Sequence, residues 1–217
     1  MSAHADEGPG DCLGVDFDPA HPVTIGKIGA EKPRTYFIKS AYDDPACPAD
    51  TETCLKKAYL IPGDLVLLGK SNGAYVCAVY EKASDRKVRW SNGWLPAASL
   101  AKIQPMQTPS RAEWLGTWTH ASGDIDVSAG KNGVLTIHGE AFYQAAQNVH
   151  TGVIDAVAKP EGALLQFADD GAEPFDKAKD SAECLVRMQR VGELLVVEDN
   201  GGCGGVMVSF TGFYKRK

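Results

Sequence analysis

Six cysteines are the most reactive side chains in this 217-residue chain: Cys12, Cys47, Cys54, Cys77, Cys184 and Cys203. None stands in the Cys-x-x-Cys pair that a thioredoxin-type centre uses, and the spacing is too wide for the close ligand pairs of a zinc site. An even number of well-separated cysteines predicts structural disulfides in an oxidising compartment. Six cysteines allow about 15 connectivities. Cys184 with Cys203 is the pair expected near the C-terminus. Cys47 and Cys54 bracket Pro48–Thr53 and are expected to close that loop, which leaves Cys12 to anchor the N-terminal segment on Cys77. A nucleophilic cysteine would need a reduced thiol at a helix start with a histidine in reach, whereas every cysteine here falls on a predicted strand or loop.

The other candidate groups point the same way. His120, His138 and His150 share the C-terminal half, but no HxH or HExxH spacing brings ligands together, so no metal is expected. His138 is expected on a solvated strand face. His150 is expected to make a structural hydrogen bond before Gly152, with ligand contact as its alternative role. Asp124 and Asp126 alternate with Ile125 and Val127 and so project to the solvent side of one strand. General acid–base catalysis needs one carboxyl in an apolar pocket, and this pattern supplies none. Asp16 and Asp18 lack the twelve-residue spacing of a calcium loop. Gly201, Gly202, Gly204 and Gly205 lack the Gly-Lys-Ser/Thr of a phosphate loop and read as turn glycines around a disulfide. No catalytic residue and no cofactor emerges, and the chain is expected not to be an enzyme. Tyr59, Tyr75, Tyr80, Trp90 and Trp94 offer flat apolar faces with polar handles, suited to sugars and peptide stems. Tyr59, Tyr75, Trp90 and Trp94, with His150, are the candidate ligand contacts.

The net charge of −6 and pI near 5.4, with no basic stripe beyond Lys215-Arg216-Lys217, argue against nucleic acid or anionic membrane and suit a cationic partner. No run of about 18 apolar residues occurs, so no transmembrane segment is expected. Ala3-His4-Ala5 has the small-x-small pattern that signal peptidase reads, and a chain starting beside a cleavage site would begin this way. Periplasmic or secreted localisation is the expectation.

The elements that must position these groups are short strands. Residues 1–22 are rich in glycine, proline and aspartate and read as a solvated arm. Between 23 and 103, strands are expected at Thr35–Ile38, Ala58–Ile61, Asp64–Leu68, Ala74–Tyr80 and Lys87–Trp90, with turns at Pro62-Gly63, Asn72-Gly73 and Asn92-Gly93. Residues 104–113 hold two prolines and read as a linker. From 114 to 217, after Trp114–Trp118, strands are expected at Asp124–Val127, Val134–His138, Gly152–Val157 and Ala163–Phe167, with a hairpin turn at Asn132-Gly133 and an acidic loop, with room for one helical turn, at Gly171–Glu183. Three glycine-separated strands close the chain, Cys184–Met188, Gly192–Val197 and Val206–Tyr214. Pairing of the first with the third would bring Cys184 and Cys203 together. The fold class is all-β: a small N-terminal barrel and a C-terminal antiparallel β-barrel or sandwich, stapled by disulfides.

Leu60-Ile61-Pro62-Gly63-Asp64-Leu65-Val66, then Gly73–Tyr80, then Gly93-Trp94-Leu95-Pro96 and Leu100 resembles a bacterial SH3-like domain. The resemblance spans 55–103 and, more loosely, begins at 23; the cysteine loop at 39–57 replaces the short connection of that family. It implies a non-catalytic module that binds cell-wall peptides or other envelope polymers through aromatic grooves. Gly116-Thr117-Trp118 resembles the Gly-x-Trp opening of lipocalin-like barrels, in which the Trp plugs one end. The whole segment resembles a C-terminal module of small secreted proteobacterial proteins, through Gly139-Glu140-Ala141-Phe142, His150-Thr151-Gly152, Cys184 and Asp199-Asn200-Gly201-Gly202-Cys203. Some of those are labelled lysozyme inhibitors. The expected function is non-catalytic recognition in the periplasm or outside the cell. Its object is a peptidoglycan fragment, or a basic cell-wall hydrolase that the chain inhibits in the manner of an immunity protein. Carriage of a small apolar ligand in a cavity of the C-terminal barrel is the alternative.

Overall fold

The computed structural model describes residues 8–84, 87–101, 108–169, 175 and 184–217. It is all-β, with two curled, near-closed antiparallel sheets. The chain divides into two compact units, Met1–Lys82 with Arg89–Gln104, and Ala83–Val88 with Pro105–Lys217. No helix is long and apolar enough to cross a membrane among the described residues.

The seven-stranded sheet, which lies in the first unit apart from residues 83–88, is built from β1 (Thr24–Ile28), β2 (Thr35–Ile38), β3 (Leu55–Leu60), β4 (Leu65–Asn72), β5 (Tyr75–Ser84), β6 (Lys87–Pro96) and β7 (Leu100–Ala101), in the spatial order β3-β2-β6-β5-β4-β1-β7. Its core is Ile28, Phe37, Leu60, Val66, Val76, Ala78 and Leu95. Beside it, Trp94 and Ile38 pack with the disulfides Cys12–Cys77 and Cys47–Cys54. Turns form at Gly63 and Gly73, whose φ of 94° and 57° glycine adopts without a Cβ clash. Asn92-Gly93, expected as a turn, instead lies inside β6. A Cβ on Gly93 would stand 2.8 Å from the carbonyl oxygen of Ile38, so this glycine admits β2 against β6. The expected solvated arm is tied down from Gly8 onward. Cys12 is buried, the Trp94 indole donates to Gly10 O at 3.0 Å, and Asn92 Nδ2 donates to Cys12 O at 3.1 Å.

The second unit opens with α1 (Arg111–Trp114), a single turn closed by a capping box between Ser110 and Glu113. This turn takes up the end of the segment expected as a linker, 104–113, of which residues 104–107 lie outside the described residues. Trp114 ends this turn. The sheet follows: β8 (Gly116–His120), β9 (Gly123–Ala129), β10 (Leu135–Gln144), β11 (Val149–Ala158), β12 (Leu164–Ala168), β13 (Leu185–Val191), β14 (Leu194–Asp199) and β15 (Gly212–Arg216), in the order β11-β10-β9-β8-β15-β14-β13-β12. Strict in–out alternation along β9, β10 and β11 puts Ile125, Val127, Leu135, Ile137, Ile154 and Ala156 in the core with Trp114, Trp118, Phe210 and Tyr214. At the seam between the edge strands β11 and β12, the Asp155 N–H donates to Asp169 Oδ1 at 2.9 Å. Asn132 and Gly133 both take positive φ, as the expected hairpin turn requires. Of the acidic loop at 171–183, only Phe175 is among the described residues, where it lies buried over Arg187.

The C-terminal expectation needs one correction. The first and third strands are not neighbours, because β14 lies between β13 and β15. Cys184 meets Cys203 because β13 and β14 form a hairpin, Val186 opposite Asp199, so that the loop after β14 returns to the start of β13. The third strand begins at Gly212 and not at Val206, since the segment before it is engaged by side chains instead of a ladder.

Candidate functional site

Of the five predicted contact residues, Tyr59, Tyr75, Trp90 and Trp94 lie in the first unit and His150 in the second. Trp94 is completely buried among the disulfides of the first unit, which removes its faces from any ligand. Tyr75 packs against the same group and is half-buried. Tyr80, from the wider aromatic set, packs on the core, where burial raises its hydroxyl pKa with help from Asp64. Trp90 is 45% and Tyr59 43% exposed, on β6 and β3. Each unit carries its own surface of interest.

On the first unit, Tyr59 stands directly across from Tyr36 in the β2–β3 ladder, with ring centroids 5.6 Å apart and planes tilted by 57°. The Arg34 guanidinium lies 4.5 Å from the Tyr59 centroid, a cation–π distance. The Tyr36 hydroxyl is the main influence that raises the Arg34 pKa above its ordinary value, with a charge contribution from the Tyr59 hydroxyl. Neither Arg34 nor Tyr36 was among the predicted contacts. Their Arg-x-Tyr spacing is the available signal, since alternate residues of a strand share a face.

On the second unit, the segment from Asn200 to Thr211 is fastened along its length. Asn200 Oδ1 accepts from the N–H groups of Leu185 and Gly202, each at 3.1 Å, and Cys203 is bonded to Cys184. The Gly205 N–H donates to Thr151 O at 3.1 Å, on the free edge of β11. The His150 ring donates from Nδ1 to Val206 O at 2.6 Å, so His150 acts as a clamp on this loop. Gly152 lets the loop approach, because a Cβ there would sit 2.3 Å from Cys203 O. Buried Asp199 gathers the far end by accepting from Ser209 Oγ, the Phe210 N–H and Thr211 Oγ1 at 2.7–3.0 Å. Between these fastenings Val206 and Met207 are 72% and 69% exposed, and Met207 holds a φ of 66° that a side chain rarely adopts. Tyr143, across the ladder from His150, flanks the clamp with its ring 6.2 Å from the imidazole.

Further along the same strands lies a charged outer face. Asp124 and Asp126 on β9, Glu140 on β10 and Asp155 on β11 are all exposed, as alternation requires. They surround His138, whose Nδ1 is 2.7 Å from Asp155 Oδ1 and whose Nε2 is 3.8 Å from Glu140 Oε1. The Asp155 hydrogen bond is the main cause that holds the His138 pKa above its ordinary value. Among the described residues, no group of three or more His, Cys, Asp or Glu side chains converges on a metal position.

His120 bonds Ser122 Oγ at 2.7 Å and stacks near Tyr214. Inside the sheet, the Trp118 ring has the Arg190 and Arg216 guanidinium groups 4.3 and 4.8 Å from its centroid, and its indole donates to Trp114 O at 2.9 Å. Comparison with protein-family models, with curated proteins and with solved structures finds no match for this chain.

Proposed function

We propose that this chain is a non-catalytic recognition protein of the periplasm or the extracellular space, and that its second unit binds and blocks a basic cell-wall hydrolase. The observation that carries this reading is the Val206-Met207 tip. Two large apolar side chains stand in water on a loop whose backbone is held by a disulfide, the His150 clamp and Asp199. Exposed apolar groups on a preorganised loop lose little conformational entropy when they enter a pocket. Backbone strain held in place by surrounding bonds, as at Met207, is characteristic of contact sites. The exposed carboxylates of β9, β10 and β11 add the long-range attraction that draws a cationic partner and makes the complex sensitive to salt. The three disulfides fit the oxidising compartment in which such an enzyme works.

The test is lysis of a wall suspension by a basic lysozyme. Stoichiometric addition of the full chain should slow lysis at low salt, with less effect at high salt. The combined Asp124→Asn, Asp126→Asn, Glu140→Gln and Asp155→Asn variant should inhibit less. Lysis unchanged by the chain at any salt concentration counts against the reading.

A second reading belongs to the first unit, where exposed Tyr59 favours contact with a wall glycan or stem peptide, as the SH3-like resemblance implies. Carriage of an apolar ligand, the remaining reading, has no specific observation in its favour; Trp114, Trp118, Ile125, Leu135, Ile154, Phe210 and Tyr214 belong to one buried cluster of the second unit.

A further inference from the structure

We infer that Arg34, Tyr36 and Tyr59 form a binding site for a carboxylate-bearing saccharide, with the carboxylate on the Arg34 guanidinium and the pyranose ring against the tyrosines. The inference rests on the glycan reading of the first unit and specifies the ligand's chemistry. Arg34 is exposed, and its guanidinium lies 4.5 Å from the centroid of the Tyr59 ring, which itself stands against Tyr36 across the ladder. A guanidinium stacked by its face keeps its edge N–H groups for a second partner, and that edge matches a carboxylate with two parallel hydrogen bonds. Among the described residues no carboxylate forms an ion pair with Arg34. In a chain of net charge −6, an ordered arginine without an acidic partner is a local exception. Lys57, exposed two residues before Tyr59 on the same face of β3, adds a second cation.

The shape of the surface selects among anions. One arginine and one lysine do not make the extended basic track that a nucleic acid or polyanionic membrane needs. The two tyrosine rings, tilted by 57° and only partly buried, offer apolar surface beside the guanidinium, which suits the apolar face of a sugar ring. Exposed Leu55 and Ile61 continue the apolar surface along β3 on either side of Lys57 and Tyr59. Because β3 is the edge of its sheet, a linear polymer has room to run past the site.

The experiment uses the full chain and backbone amide chemical shifts, titrated separately with N-acetylmuramic acid, N-acetylglucosamine, lactate and D-alanyl-D-alanine. N-acetylmuramic acid should move the signals of Arg34, Tyr36 and Tyr59 and bind at least about fivefold more tightly than either the uncharged sugar or lactate. Arg34→Gln should weaken that binding about tenfold, the loss expected for one charge-assisted bidentate contact, while other shifts show the fold intact. Equal binding of N-acetylglucosamine, a response at this face to the dipeptide alone, or binding unchanged in Arg34→Gln overturns the inference. Co-sedimentation of the same proteins with purified peptidoglycan separates the two levels of the argument. Sedimentation that Arg34→Gln leaves unchanged keeps the glycan reading and removes the arginine's role; no sedimentation and no shifts remove both.

Discussion

His150 and Val206 are 56 residues apart and joined by a 2.6 Å hydrogen bond from the imidazole Nδ1 to the backbone carbonyl. The bond ties the end of β11 to the tip of a loop that otherwise hangs on Cys203 and Asp199. Replacing His150 by Ala removes a single, partly solvated hydrogen bond, so global stability should fall by only about 1 kcal/mol. The local effect should be larger. Amide exchange at Val206, Met207 and Val208 should accelerate while the amides of β9 and β10 keep their protection. Uniform acceleration across the sheet would show that His150 supports the barrel as a whole and not this loop.

The disulfides should rank by the chain they close. Cys12–Cys77 spans a sequence separation of 65, Cys184–Cys203 of 19 and Cys47–Cys54 of 7. Loop-closure entropy gives roughly 4, 3 and 2.5 kcal/mol respectively. Paired Cys→Ser variants, unfolded in urea, should follow that order. Cys12–Cys77 should stand out further, because its loss also frees the segment whose Gly10 carbonyl accepts from buried Trp94. A smaller loss for Cys12–Cys77 than for Cys47–Cys54 would contradict this account.

How much of this could be read from the chain depends on which interactions are local. In β9 and β10 each apolar residue alternates with a polar one, so strand and exposed face were both visible in Asp124–Val127 and Leu135–His138. The cysteine pairing was legible because the loop 48–53 and the terminal hairpin left few partners. β1 was not singled out, since Gly26 and Lys27 interrupt its apolar residues, and it exists through pairing with β4 and β7. The same limit applies to the candidate sites. Tyr59 is recognisable as an aromatic, but its partner Tyr36 is fixed by a register set across the loop 39–54. Trp94 and Tyr59 look equivalent in sequence and differ only because the N-terminal segment covers one of them. The Val206–Phe210 run has strand composition, and it becomes a loop because Asp199 takes up the Phe210 N–H and the hydroxyls on either side of it.

His138 should make stability depend on pH. Its folded pKa is raised, mainly by the hydrogen bond to Asp155, with Glu140 and Asp126 adding to the effect. The folded state therefore binds the proton more tightly than the unfolded chain. The resulting stabilisation is complete below the unfolded pKa of about 6.5 and fades as pH rises through the folded value. Urea midpoints measured from about pH 6 to pH 8 should fall across that window, by a small amount because the pair is solvent-exposed. Asp155→Asn should move the His138 titration, followed by its ring proton shifts, back towards the ordinary value. A His138 titration unaffected by that change would remove Asp155 as the cause.

On the proposed inhibitor reading, Met207 sets stability against recognition. Its left-handed backbone costs a non-glycine residue about 1–2 kcal/mol, and its exposed side chain returns little packing energy. Met207→Gly should relieve that cost, less about 0.4–1 kcal/mol for the freedom glycine gains in the unfolded chain. The net expectation is a protein more stable by about 0.5–1 kcal/mol, read as a rise in the urea midpoint. If the tip is the contact surface, the same variant should slow a basic lysozyme less than the parent chain does, because an apolar anchor has been removed from a loop that is still tethered. The two readouts moving in opposite directions is the signature of a residue kept for its partner. A variant that loses stability shows that the methionine side chain packs more than its exposure implies. A variant that gains stability and inhibits as well as the parent removes the tip from the interface.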